Sequence, residues 1–79
     1  MPDFPQYRKL SNLRSFYRIG DERNFMEIQL IGSKAFRLHF KATQFPEILK
    51  IKDMLSCNEP YLLSDKEEFE KYDELVSGR

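Results

Sequence analysis

The sequence predicts one small α+β domain: a three- or four-stranded antiparallel β-meander packed by an amphipathic helix, with a second, acidic helix at the C-terminal end. Three observations carry this. Apolar and polar residues alternate from Leu13 to Ala42, interrupted by turn residues at two places. Apolar residues then recur at helical spacing over residues 43–56 and again over 64–76. The 79 residues allow a single thin core, since a chain this short buries only about 60% of its unfolded surface.

The elements follow in order. Residues 1–12 are read either as irregular chain or as an edge strand, because two prolines near the start argue against a central strand. Tyr7 and Leu10 are its packing candidates, ahead of a Ser11-Asn12 turn. The first strand of the meander, which spans residues 13–42, is Leu13 to Ile19. Gly20 to Arg23 read as a four-residue turn, which pairs Tyr17 with Met26. The second strand is Asn24 to Ile31, with Met26, Ile28 and Leu30 on one face. The third is Lys34 to Ala42, with Phe36, Leu38 and Phe40 on one face and Arg37, His39 and Lys41 on the other. A three-residue loop from Gly32 to Lys34 sets Ile28 opposite Leu38, core against core. A two-residue Gly32-Ser33 turn sets Ile28 opposite Arg37 instead. A one-residue slip turns every side chain over, so the hydrophobic pattern selects the three-residue loop. The two-residue turn is the alternative, and it needs both sheet faces partly covered, for instance by a second subunit.

Thr43 as cap and Pro46 in the first turn open the first helix. Phe45, Ile48, Leu49, Ile51 and Leu55 form its apolar stripe, so Ile28, Leu38, Phe40 and Leu49 are expected in one core. Tyr61-Leu62-Leu63 is either a short fourth strand or an apolar lead-in. Ser64 and Glu67 fit a capping box for the second helix, which carries Phe69, Tyr72, Leu75 and Val76 on one face and ends near Gly78.

Charge is balanced, with 13 Lys/Arg against 13 Asp/Glu, so no global attraction to a polyanion or a membrane is implied. The balance hides an asymmetry. Residues 1–56 carry ten Lys/Arg and six Asp/Glu, and residues 57–79 carry three and seven. One cysteine excludes an internal disulfide. The N-terminal residues lack the basic start and apolar run of a secretory signal, and no stretch approaches the roughly 18 apolar residues of a membrane helix. A cytoplasmic location and no membrane partner are expected.

The chain gives no sign of catalysis. Nucleophilic chemistry needs Cys57 together with His39, the sole representatives of their types, and they fall on different elements. Close ligand spacings for a metal, a glycine-rich phosphate loop and an EF-hand loop are all missing. No enzyme activity, cofactor or metal is therefore expected. The feature that stands out is the outer sheet face. The expected register groups Arg14, Phe16, Arg18, Phe25, Arg37, His39 and Lys41 in three cross-strand rows, with Gln29 and Glu27 between them. Such a face suits a protein partner or a second copy of the chain, through the exposed Phe16 and Phe25. The alternative is nucleic acid, with bases stacked on the two rings and phosphates held by the cations. The first reading is a non-enzymatic protein-interaction or regulatory module. The plain alternative is a solvated face whose cations lie over its rings.

Overall fold

A computed structural model of the chain describes residues 3–76. The order of elements is β1 (Gln6–Leu10), β2 (Ser15–Ile19), β3 (Asn24–Ile31), β4 (Lys34–Lys41), α1 (Phe45–Leu55), β5 (Tyr61–Leu63) and α2 (Lys66–Asp73). The α+β class is as the sequence predicts, but the sheet has five strands, in the order β4-β3-β2-β1-β5, all paired antiparallel. The N-terminal segment supplies the strand that the sequence left open. Its Pro5 stands just ahead of β1, and β1 lies between β2 and β5 rather than at an edge.

Both hairpin turns are one residue shorter than the sequence analysis expected, and this changes the packing. Gly20 N–H donates to Asn24 O at 2.9 Å, so the first loop is the three residues 21–23. Asp21 closes it by accepting from Arg23 N–H and from the Asn24 amide, at 2.7 and 2.9 Å. Tyr17 therefore faces Glu27, not Met26. The second turn is Gly32-Ser33, with Gly32 at a φ of 62°, a left-handed value that glycine adopts freely. It sets Ile28 opposite Arg37. The apolar residues of β4 thus share a face with Phe25, Glu27 and Gln29, not with Ile28.

That register is stable because both faces of the sheet are covered by helices of the same chain. On one face Tyr17, Ile19 and Phe25 pack with Ile51 and Met54 of α1. On the other, Phe16, Ile28 and Ala35 pack with Phe69 of α2. Phe16 stacks on Tyr72 at a centroid distance of 4.0 Å. Burying each such side chain stabilises the fold by about 1.5–3 kcal/mol. The expected single core of Ile28, Leu38, Phe40 and Leu49 does not form. Ile28 lies under α2, Leu38 and Leu49 are exposed, and Phe40 is half-buried beside Phe25.

Both helices are shorter than expected at their ends. Gln44, not Thr43, is the N-cap of α1, and Glu47 folds back to accept from the backbone N–H groups of Thr43 and Gln44 at 3.2 Å. Asp65, not Ser64, caps α2 by accepting from Glu68 N–H at 2.8 Å. Ser64 contributes instead through its hydroxyl, which donates to the Glu68 carboxylate. Gly78 lies outside the described residues.

At the other end of α1, Arg8 of β1 is only 6% exposed. Its guanidinium donates to Met54 O at 2.7 Å and Leu55 O at 3.2 Å, in the last turn of α1. It also donates to Tyr7 O and to the Gln6 side chain. A buried cation is tolerable here because carbonyls at the negative end of the helix dipole surround it.

Candidate functional site

Both edge strands carry exposed apolar side chains, Leu62 and Leu63 on β5 and Phe36 and Leu38 on β4, and the longer stretch is on β4. α1 lies over β1 and β5 and reaches Tyr17, Ile19 and Phe25 of β2 and β3, and α2 lies across β2, β3 and β4 on the other face. The β4 half of the α1 face is therefore open. There Phe36 is 42% exposed and Leu38 37% exposed, two positions apart on one strand face. Phe40 continues the line and stacks on Phe25 at 4.9 Å.

The inner border of this shelf is a buried carboxylate reached by a half-exposed lysine. Glu27 is 4% exposed and opposes Leu38. It accepts from the Gln29 amide at 3.1 Å and from the Tyr17 hydroxyl at 3.5 Å, and Lys50 of α1 reaches to 3.8 Å. The Lys50 ammonium also sits 5.4 Å from the ring centroids of Tyr17 and Phe25 and 5.8 Å from that of Phe40. This arrangement satisfies the carboxylate and spreads a cation over three rings. Burial and then the Glu27 charge push the Tyr17 hydroxyl well above the usual phenol range. Burial, with help from Asp53 and Glu27, also raises Tyr61.

β4 is also a sheet edge. Beyond it, among the described residues, lies only a single parallel bridge between Ala35 and Val76. The direction of its backbone groups follows from the pairing. Ala42 N–H donates inward to Arg23 O at 2.6 Å. Antiparallel pairs alternate between bonded and non-bonded, so even-numbered residues of β4 bond to β3. The N–H and C=O groups of Arg37, His39 and Lys41 consequently point outward, away from the sheet.

The structure divides the face expected from sequence. Phe25 lies on the α1 face and is 2% exposed, beneath Lys50. Phe16 is on the α2 face but 1% exposed under Tyr72. Neither ring is free to stack a base or meet a partner. The register correction is the physical reason: the observed rows are Phe16–Ile28–Arg37 and Arg18–Met26–His39. Arg14 precedes β2 and is exposed. Arg18, Arg37, His39 and Lys41 do share the α2 face. His39 and Lys41 are exposed, Arg18 is half-buried, and Arg37 is held by Asp73 at 2.8 Å. The basic part of the face survives and its aromatic part does not. Sequence reasoning missed Phe36 and Leu38 as surface residues. The signal was available, since the last strand of a meander has one side unpaired until another element covers it.

The two residues that sequence reasoning weighed for nucleophilic chemistry are not brought together. Cys57 follows α1 at a φ of 55°, whereas the exposed His39 side chain lies on the opposite face of the sheet. Among the described residues no three His, Cys, Asp or Glu side chains are placed to hold a metal ion. A hollow of about 390 Å³ beside α1 is lined by Ile48, Ile51 and Leu55 with Glu22, Arg23 and Lys52, with neither His nor Cys in its wall. No helix among the described residues is long and apolar enough to cross a membrane. A scan against protein-family models, a search of curated proteins and a search of solved structures each found no match.

Proposed function

We propose that this domain is a non-catalytic protein-interaction module whose binding surface is the β4 edge with its Phe36–Leu38 shelf. The observation that carries this is the coincidence of two exposed features on one strand. Large apolar side chains stand in water beside outward-pointing backbone groups, and each alone favours association. The other edge, β5, also exposes Leu62 and Leu63 but spans three residues against eight in β4, too short to seat a partner strand of comparable length. Nucleic acid is the weaker reading, because Phe16 and Phe25 are buried and the cations of that face left for phosphate contacts are Arg18 and Lys41.

The test is an affinity pull-down from native cell extract, with nuclease treatment as a control, comparing wild type with the double variant Phe36→Ser/Leu38→Ser. Both positions are exposed, so the variant is expected to fold. Proteins retained by the wild type and lost by the variant, with or without nuclease, are the expected result. Equal retention by both proteins overturns the reading. Retention that nuclease abolishes moves the function to nucleic acid.

A further inference from the structure

We infer that the β4 edge accepts an extended segment of a partner protein as a sixth strand, and that this segment alternates apolar with acidic residues. The inference rests on the interaction reading above and adds the occupant's chemistry. Three features of β4 define it. The backbone groups of Arg37, His39 and Lys41 point outward and offer main-chain hydrogen bonds to a strand laid alongside. Residues of that strand opposite Leu38 and Phe40 fall on the α1 face, beside the apolar shelf. Residues opposite Arg37, His39 and Lys41 fall on the α2 face, where Arg18 adds a further cation in the His39 row. One carboxylate of the same chain, Asp73, already engages Arg37, so Lys41 at the C-terminal end of β4 and Arg18 beside it are the cations left to a partner among the described residues.

Charge argues against a second copy of the chain as occupant. Antiparallel pairing of β4 with its own copy through these outward groups brings both copies of Arg37 and Lys41 onto one face. Like charges across a strand pair are destabilising, and edge lysines commonly prevent such pairing. The same cations attract an acidic strand. The Ala35–Val76 bridge fixes the upper limit of the added strand, and no described residue pairs with the outer side of residues 37–41.

Fluorescence anisotropy with a labelled, end-blocked heptapeptide of alternating glutamate and valine tests this. The control is the same peptide with lysine for glutamate. The acidic peptide is expected to bind about tenfold tighter, as attraction to Lys41 and Arg18 replaces the repulsion that the lysine peptide meets there, and to weaken as salt rises. His39→Glu/Lys41→Glu should reverse the preference between the two peptides. Amide exchange at Arg37, His39 and Lys41 should slow when the acidic peptide is added. Equal affinity for both peptides, no binding of either, or slowed exchange elsewhere overturns the inference. So does a concentration-dependent doubling of sedimenting mass that Phe36→Ser/Leu38→Ser abolishes, which assigns the edge to a second copy. If the peptide fails while the pull-down still distinguishes the shelf variant, strand addition is wrong and the interaction reading stands.

Discussion

Replacing Arg8 by methionine tests how the C-terminal end of α1 is held. Methionine keeps much of the aliphatic volume and removes the guanidinium. Leu55 O then loses the donor at 3.2 Å, and Met54 O keeps only backbone donors such as Cys57 N–H at 3.1 Å. A hydrogen bond to a charged group contributes about 1.5–3 kcal/mol, and a cation at a helix C-terminus adds about 0.3–2 kcal/mol. Part of this is offset because the variant no longer buries a charge. The net cost is about 2–3 kcal/mol. With a urea m-value of about 1 kcal/mol/M for so small a domain, the midpoint falls by about 2–3 M. Arg8→Lys keeps the charge but not the fork that spans two carbonyls, and should recover about half of the loss. Urea titration followed by far-UV circular dichroism reads all three proteins. If Arg8→Met unfolds at the wild-type midpoint or above it, the guanidinium is not what anchors α1, and its desolvation cancels its bonds.

Further outcomes follow from the same geometry. Phe25→Ala removes a ring packed between Phe40, Tyr17 and Lys50, and should cost about 3–5 kcal/mol of a total of roughly 4–12 kcal/mol. Phe36→Ala, on the same face but exposed, should cost within about 1 kcal/mol. Equal thermal midpoints for these two variants would place β4 the other way round. The Tyr17 hydroxyl is raised by burial and by Glu27, so its neutral form is favoured in the folded state. Its contribution is fully present below the unfolded phenol pKa of about 10 and is lost as pH rises above it, so Tyr17→Phe should flatten the alkaline limb of the stability curve. Glu68 shifts the opposite way: the Ser64 hydroxyl and then Lys9 hold its carboxyl below the usual range. Its contribution is present above the unfolded pKa of about 4.3 and is lost as pH falls through the folded value, so Ser64→Ala should raise the Glu68 midpoint in an NMR titration.

Local patterns in this sequence were legible and the pairing was not. Three strands and both helices fall where alternation, helical spacing and turn residues place them, give or take end residues, and β5 is the strand alternative of a segment that the sequence left open. Register failed because β3 reads apolar on both faces, with Phe25 on one and Met26, Ile28 and Leu30 on the other. Matching core to core then selected longer turns than the chain uses. The missing premise was that each helix takes its own face. Ser15 to Ile19 carried the hint, since Phe16, Tyr17 and Ile19 are apolar on alternate sides, as in a strand buried on both faces. Once Phe16 and Phe25 go to opposite faces, the expected aromatic platform disappears and only its cations remain. The role of Arg8 had no local signal, because its acceptors lie 46 and 47 residues away.

The free edge of β4 is the central claim, and residue-resolved amide hydrogen exchange on the isolated domain tests it most directly. In β4 the amides of Phe36, Leu38 and Phe40 bond to β3 and should exchange slowly, while those of Arg37, His39 and Lys41 face water and should exchange fast. That alternation is the result the account predicts. Slow exchange at all six positions would mean that the edge is already covered, and the reverse alternation would mean that β4 presents its other set of backbone groups.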